Sequence, residues 1–346
     1  MWKLPFIAFV LAWVLTLALT PLVRKLAFSF GAVAVPRDRD VHKEPLPRWG
    51  GLSMVVAFLV TLGAVYFWRL YNNADLHIHP PWSSHHTHQF AGIVVALLLI
   101  TIVGLIDDKW EVSALWQSFA LVASGVILFE FGVRIEGFTN PFAGGEFSPA
   151  HHYNPATWVD LYQGHPWESL LATVMWVFLV AKTVDFIDGL DGLAAGVAGI
   201  CALTLAFMSA QSGQYEVTIM AATLIGVCVG FLRYNFNPAS IIMGTVGAQF
   251  LGLALAAIAI VGTIKIAAIT SVALPLLVLG VPIFDGLWVI CKRIVTRTPA
   301  YMPDKTSHIH HRLLNRGYSQ KKAVLVIYSL TAGLCLIAIA LLRVFH

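Results

Sequence analysis

Apolar stretches long enough to cross a lipid bilayer recur along this chain, and they limit its fold more than any motif does. A spanning helix needs about 20 mostly apolar residues, because in hydrocarbon every backbone N–H and C=O must be paired within the segment. By that rule about ten segments qualify: 4–26, 51–71, 90–106, 114–133, 167–184, 193–211, 217–233, 246–263, 266–290 and 323–344. The expected fold is all-α, a polytopic membrane helical bundle of about ten helices, with residues 1–346 as a single domain. Composition agrees. The chain is 58% hydrophobic and 12% charged, with a mean hydropathy of +0.78, whereas a soluble domain carries about a quarter charged residues.

Charge placement orients the bundle. Lysine and arginine collect in cytoplasmic loops. With both termini extracytoplasmic, 17 of the 22 basic residues fall on one side. They come mainly from a first loop holding Arg24, Lys25, Arg37, Arg39, Lys43 and Arg48 and a last loop running from Lys292 to Lys322. The opposite side keeps Lys3, Arg69, Arg134, Lys265 and Arg343. The first segment contains Pro21 and lacks a small-residue cleavage site, so it reads as a retained helix and not a removed signal peptide. No long basic run or nucleic-acid motif is present, which argues against DNA or RNA as a partner. Cys201, Cys228, Cys291 and Cys335 are far apart with no C-x-x-C, and read as small residues within a bundle.

On this arrangement the acids gather at the cytoplasmic ends. Asp107 and Asp108 close the third segment, Asp185, Asp188 and Asp191 lie between the fifth and sixth, and Asp285 lies near the inner end of the ninth. Ionisable groups at such places mark a pathway or a site more often than decoration. Adjacent carboxylates repel unless a cation neutralises them, and hard oxygen donors suit Mg²⁺, with Mn²⁺ as the alternative. Magnesium in turn usually serves phosphate substrates. In D-F-I-D-G-L-D-G-L at 185–193 the acids recur every third residue, so a helical turn would bring them together. The last loop carries His308, His310 and His311 beside Lys305 and Arg312, with no cysteine to complete a zinc set, and reads as a phosphate-binding loop. The motif H-K-E-P-L-P-R-W-G-G at 42–51 reads as a rigid turn whose basic residues face anionic headgroups or substrate. A second histidine group, His77, His79, His85, His86 and His88 with His151, His152 and His165, shows no regular spacing and reads as solvated outer loop.

These residues together resemble a known family, the polyprenyl-phosphate N-acetylhexosamine-1-phosphate transferases of glycosyltransferase family 4, relatives of phospho-N-acetylmuramoyl-pentapeptide transferase. The likeness covers nearly the whole chain. It rests on T-P-L-V-R-K-L-A at 20–27, V-H-K-E-P-L-P-R-W-G-G at 41–51, G-L-I-D-D at 104–108, G-V-R-I at 132–135, T-N-P-F at 139–142, D-F-I-D-G-L-D-G-L-A-A-G at 185–196, P-I-F-D at 282–285 and H-I-H-H-R-L-L at 308–314. The resemblance implies Mg²⁺-dependent transfer of a sugar-1-phosphate from a UDP-sugar to polyprenyl phosphate, releasing UMP, at the bacterial inner membrane with a cytoplasmic site, early in cell-envelope glycan synthesis. It implies catalytic roles for Asp107, Asp108 and Asp188, metal binding by Asp185 and Asp188, and nucleotide-sugar binding by Asp191, Lys182, Asn235, His308, His310 and His311. It also admits a homodimer.

The chain departs from the family pattern at five positions. Gln117 stands where a lysine is usual, Lys182 and Asp185 replace two asparagines, Ile242 replaces an aromatic residue, and Thr245 replaces a metal-binding aspartate. A threonine hydroxyl is a weak Mg²⁺ ligand. Two expectations follow. In the first, charge is relocated, the lysine lost at 117 being regained at 182 and the acid lost at 245 regained at 185. In the second, the chain is a catalytically degenerate paralogue that binds lipid phosphate or a partner. A transporter is a more distant alternative, because no clear repeat is seen and the acids sit at segment ends, not at the midplane.

Overall fold

A computed structural model describes residues 2–34, 45–72, 84–139, 158–163, 165–263, 270–296 and 307–345. Arg37, Arg39, Lys43, His77, His79, His151, His152, Lys265, Arg297 and Lys305 lie outside the described residues. The described chain is an all-α bundle. Its helices are α1 (Lys3–Ser29), α2 (Gly50–Asn72), α3 (Ser84–Trp110), α4 (Ala114–Glu130), α5 (Pro166–Ile187), α6 (Leu193–Gln211), α7 (Tyr215–Asn235), α8 (Gly244–Thr263), α9 (Thr270–Val278), α10 (Gly280–Thr296), α11 (Ile309–Asn315) and α12 (Gln320–Phe345). Two small antiparallel ribbons accompany them: β1 (Val33–Ala34) with β2 (Leu46–Pro47), and β3 (Gly137–Thr139) with β4 (Trp158–Asp160).

Among the described residues eight helices are long and apolar enough to cross a membrane: α1, α2, α3, α5, α6, α7, α8 and α12. The other two expected segments differ in form. The fourth is α4, apolar but only 17 residues long. The ninth, 266–290, is not one helix. It divides at Leu279 into α9 and α10. Proline explains part of the division. Pro282 has no N–H to give to the carbonyl of Val278 four residues back. That carbonyl instead accepts the thiol of Cys201 at 3.1 Å. So Cys201 is a buried donor serving a broken helix.

α8 is the axis of the bundle. Every residue from Val246 to Ile260 is buried, and the sequence there is rich in Gly and Ala. Small residues let helix backbones approach closely, which is how packing is gained in lipid. α1 and α12 lie at the periphery and leave most of their apolar surface facing outward. Such exposure suits a hydrocarbon solvent. Phe58 of α2 packs edge-on against Phe250 of α8 (5.4 Å between centroids), helping to fix α2 against the axis.

The motif P-R-W-G-G is indeed a fixed structure. Gly50 and Gly51 donate their N–H groups to the carbonyls of Ile242 and Met243 (3.0 and 2.8 Å), and Ile242 N–H donates to Pro47 (3.0 Å). A Cβ at Gly51 would overlap the backbone of Gly247. Glycine is needed there because two backbones touch. This contact fixes the start of α2 against the start of α8.

A candidate active site at one end of the bundle

The polar residues singled out in the sequence meet at one end of the bundle, because α3, α5 and α7 finish where α2, α4, α6, α8 and α12 begin. The contacts prove the convergence. Asp107 and Asp108 lie in the last turn of α3, where carboxylates face the unfavourable end of their own helix dipole. The first turn of α8 compensates. Thr245 N–H donates to Asp108 Oδ1 (2.8 Å) and Val246 N–H to Asp108 Oδ2 (3.4 Å). The Thr245 hydroxyl donates to Asp107 Oδ2 (2.6 Å). Both acids are buried. Asp108 therefore anchors the N-terminus of α8, while among the described residues no protein group bonds Asp107 Oδ1. Arg48, from the first-loop motif, pairs with Glu111 at 3.3 Å beside this junction.

Three of the unusual residues meet. Lys182 Nζ, in the last turn but one of α5, donates to Gln117 Oε1 of α4 at 2.9 Å and to Asp185 Oδ2 at 3.0 Å. Gln249 Nε2 of α8, wholly buried, approaches the same Gln117 oxygen at 3.5 Å. Gln249 lies one turn beyond Thr245. A single polar seam thus joins α4, α5 and α8.

The turn after α5 holds the remaining acids. Asp188 caps α5, and withdrawal from water, reinforced by the charges of Asp185 and Asp191, pushes its carboxyl up to about 8. Asp191 Oδ2 accepts from Asn237 Nδ2 (2.9 Å) and the Ala239 N–H (3.1 Å). Asn235 spends both ends of its amide on backbone: Oδ1 accepts from Gly192 N–H and Nδ2 donates to the Ile241 carbonyl, each at 3.0 Å. The Gly192 carbonyl accepts the Tyr328 hydroxyl of α12 at 2.6 Å. Asp191 and Asn235 therefore hold the turn to the 235–243 loop, which α12 also grips through Gln320 and Asn237 (2.7 Å).

The histidine segment closes the site. His310 is buried with its ring on Gly189, where a Cβ would collide with it. Burial, then the neighbouring His311 and His308, push His310 down to about 3, so its ring is neutral at physiological pH. Its Nδ1 is buried and lacks a protein partner among the described residues. His308 and His310 stack at 5.5 Å, and His310 and His311 lie 4.2 Å apart. Lys305, expected beside them, lies outside the described residues.

Comparison with known proteins bears on this constellation. Residues 90–263, half of the chain, match the family model Glycosyl transferase family 4. A relative from Bacillus subtilis, "Probable undecaprenyl-phosphate N-acetylglucosaminyl 1-phosphate transferase", is 32% identical over 93% of this chain and 80% of its own length. "Decaprenyl-phosphate N-acetylglucosaminephosphotransferase" of Mycobacterium tuberculosis is 34% identical, over 92% of this chain and 77% of its own. "Phospho-N-acetylmuramoyl-pentapeptide-transferase" of Caldicellulosiruptor bescii is 26% identical over 97% of both. The chain belongs to glycosyltransferase family 4.

Among the described residues no three His, Cys, Asp or Glu side chains stand close enough to hold an ion by themselves. The donor set nevertheless suits Mg²⁺, which is commonly held by one or two carboxylates together with waters and substrate phosphates. The Asp188 carboxyl is raised by withdrawal from water first and by the charges of Asp185 and Asp191 second, and a bound cation would offset both. Thr245 commits its hydroxyl to Asp107 and so acts on an acid in place of being one. Asp285 received no role from sequence. The structure bonds it to His308 and to the start of α11. His308 lies 23 positions along the chain from Asp285, and no local pattern reports that pairing.

Proposed function

We propose that this family 4 transferase moves a sugar-1-phosphate, from a UDP-N-acetylhexosamine, onto polyprenyl phosphate. An oxygen of the lipid phosphate attacks the β-phosphorus of the donor. A new phosphate–oxygen bond forms as the bond to the α-phosphate bridge breaks, giving polyprenyl-diphospho-sugar and UMP. The supporting observation is the meeting, at one membrane end, of Asp107, the Lys182–Asp185 pair, the Asp188 turn and the His308–His311 segment. A dianionic acceptor and a diphosphate donor require charge neutralisation and in-line positioning more than covalent chemistry.

In this reading Asp107, with Oδ1 open, faces the acceptor phosphate. Asp108 holds α8 in register beneath it. Lys182 supplies positive charge to the donor diphosphate, and His308, His310 and His311 contact that same group. Asp185 and Asp188 would hold Mg²⁺, which when bound would neutralise charge on the phosphates. Asp191 and Asn235 shape the nucleotide pocket through the 235–243 loop. The excess of lysine and arginine in the first and last loops supports a cytoplasmic site with both termini outside, and the proposed membrane is the bacterial inner membrane. A homodimer is compatible with this topology.

A second reading has a specific observation behind it. Asp108 and the Thr245 hydroxyl are occupied in joining α3 to α8, as a catalytically silent lipid-phosphate binder would allow. One assay separates the two. Purified protein supplied with polyprenyl phosphate and UDP-GlcNAc or UDP-GalNAc, with and without Mg²⁺, should release UMP only with the metal. No release with any UDP-sugar would leave the silent binder.

A further inference from the structure

Asp285 lies in the second turn of α10 and is 8% exposed. Among the described residues it makes two bonds, both to the segment that opens α11. Its Oδ1 accepts the Ile309 N–H at 2.7 Å, and its Oδ2 lies 2.8 Å from His308 Nδ1. A carboxylate accepts only, so the proton of that second contact belongs to Nδ1. Among the described residues no lysine or arginine pairs with Asp285.

Capping alone does not account for this arrangement. A backbone N–H at a helix start is satisfied as well by Ser, Thr or Asn. Placing a carboxylate there buries a charge, which is costly without a partner. The partner it has is a histidine. That histidine is constrained on its faces too. Phe186 lies 5.7 Å from the His308 ring and His310 stacks on it with an interplanar angle of 13°. Phe186 sits between Asp185 and Asp188, and the His310 ring rests on Gly189. The held imidazole therefore borders the acid turn directly.

We propose that Asp285 is a positioning residue for the transfer: by accepting from His308 Nδ1 it fixes the proton and the ring orientation of His308, and leaves Nε2 as the unprotonated nitrogen, able to accept a proton or a hydrogen bond during the transfer. A carboxylate that orients a histidine in this way sets which nitrogen does the chemistry. The proposal rests on the transferase reading for its consequence, but the tautomer itself does not.

Asp285→Asn is the informative change. The asparagine can keep the Ile309 N–H on its oxygen, while its NH₂ group must donate to His308 Nδ1. That transfers the ring proton to Nε2. The expected result is a loss of about 10²-fold or more in kcat for UMP release, with an apparent Tm close to wild type. In a His308→Gln background the same change should cost almost nothing further. An equal loss in both backgrounds, or a variant within twofold of wild type, overturns the proposal. Nitrogen-15 spectra of imidazole-labelled protein, with the His308 signals assigned by their absence in His308→Gln, give a reading that does not need turnover. Wild type should show Nδ1 protonated and Asp285→Asn should show Nε2 protonated. Unchanged signals overturn the proposal. Should wild type release no UMP, the transferase reading fails, while these spectra still decide whether Asp285 sets the tautomer.

Discussion

Single residues carry separable roles at the acid junction. Asp107 and Asp108 are neighbours in sequence, yet Asp108 engages two backbone N–H groups of α8 while Asp107 meets one hydroxyl. Hydrogen bonds from a helix N-terminus to a buried carboxyl contribute about 0.5–1.5 kcal/mol each. Asp108→Asn should therefore lower the apparent Tm in detergent by several degrees. Asp107→Asn should leave Tm nearly unchanged while reducing UMP release at least about 10²-fold. A thermal scan beside the assay checks both. Lys182 offers a sharper case. Its ammonium and the Gln117 oxygen occupy one spot, 2.9 Å apart, although the residues are 65 positions apart in sequence. Lys182→Asn alone should abolish most activity, and adding Gln117→Lys should recover much of it, because a lysine from α4 delivers its charge to the same place. Failure of the double variant to exceed the single one would show that the Asp185 contact of Lys182 matters more than the charge.

Among the elements, backbone proximity and helix termini build the site. α2 and α8 are joined through glycines, and a methyl group at Gly51 has only backbone to meet. Gly51→Ala should lower apparent Tm strongly, by about 5 °C or more, the result of overpacking that costs roughly 1–3 kcal/mol. Gly63→Ala in the same α2 has open space around it and should be nearly neutral. Comparing the two melting curves separates close approach from helix propensity. The division of α9 from α10 follows similar logic. α10 presents Asp285 inward and Phe284, Trp288, Ile294 and Val295 outward. That two-faced pattern belongs to a helix at a boundary and not to one enclosed by lipid on all sides.

On the scale of the whole molecule, the proposed topology assigns the site to the cytoplasmic end of the bundle. Asn315, exposed at the end of α11, reports on this directly. Asn315→Cys in a Cys291→Ser background, the latter removing the one exposed cysteine among the four, should react with a membrane-impermeant maleimide in inverted vesicles and not in intact cells. Labelling from outside would invert the topology.

The sequence by itself determined the all-α membrane class, the positions of most helices and the residues at issue, because apolar length and dense acidic and histidine motifs are local properties that lipid and phosphate chemistry constrain strongly. It also showed that Gln117, Lys182, Asp185 and Thr245 were unusual. Only the tertiary structure decided what those residues touch. The broken ninth segment escaped a hydropathy reading because its two halves follow one another without a polar break, and Pro282 marks a lost bond only once the helix is seen. Lys182 beside Gln117, Thr245 on Asp107, and Asp285 on His308 join residues 65, 138 and 23 positions apart. Such pairs are set by which helix ends pack together, and periodicity along one helix carries no record of its neighbours.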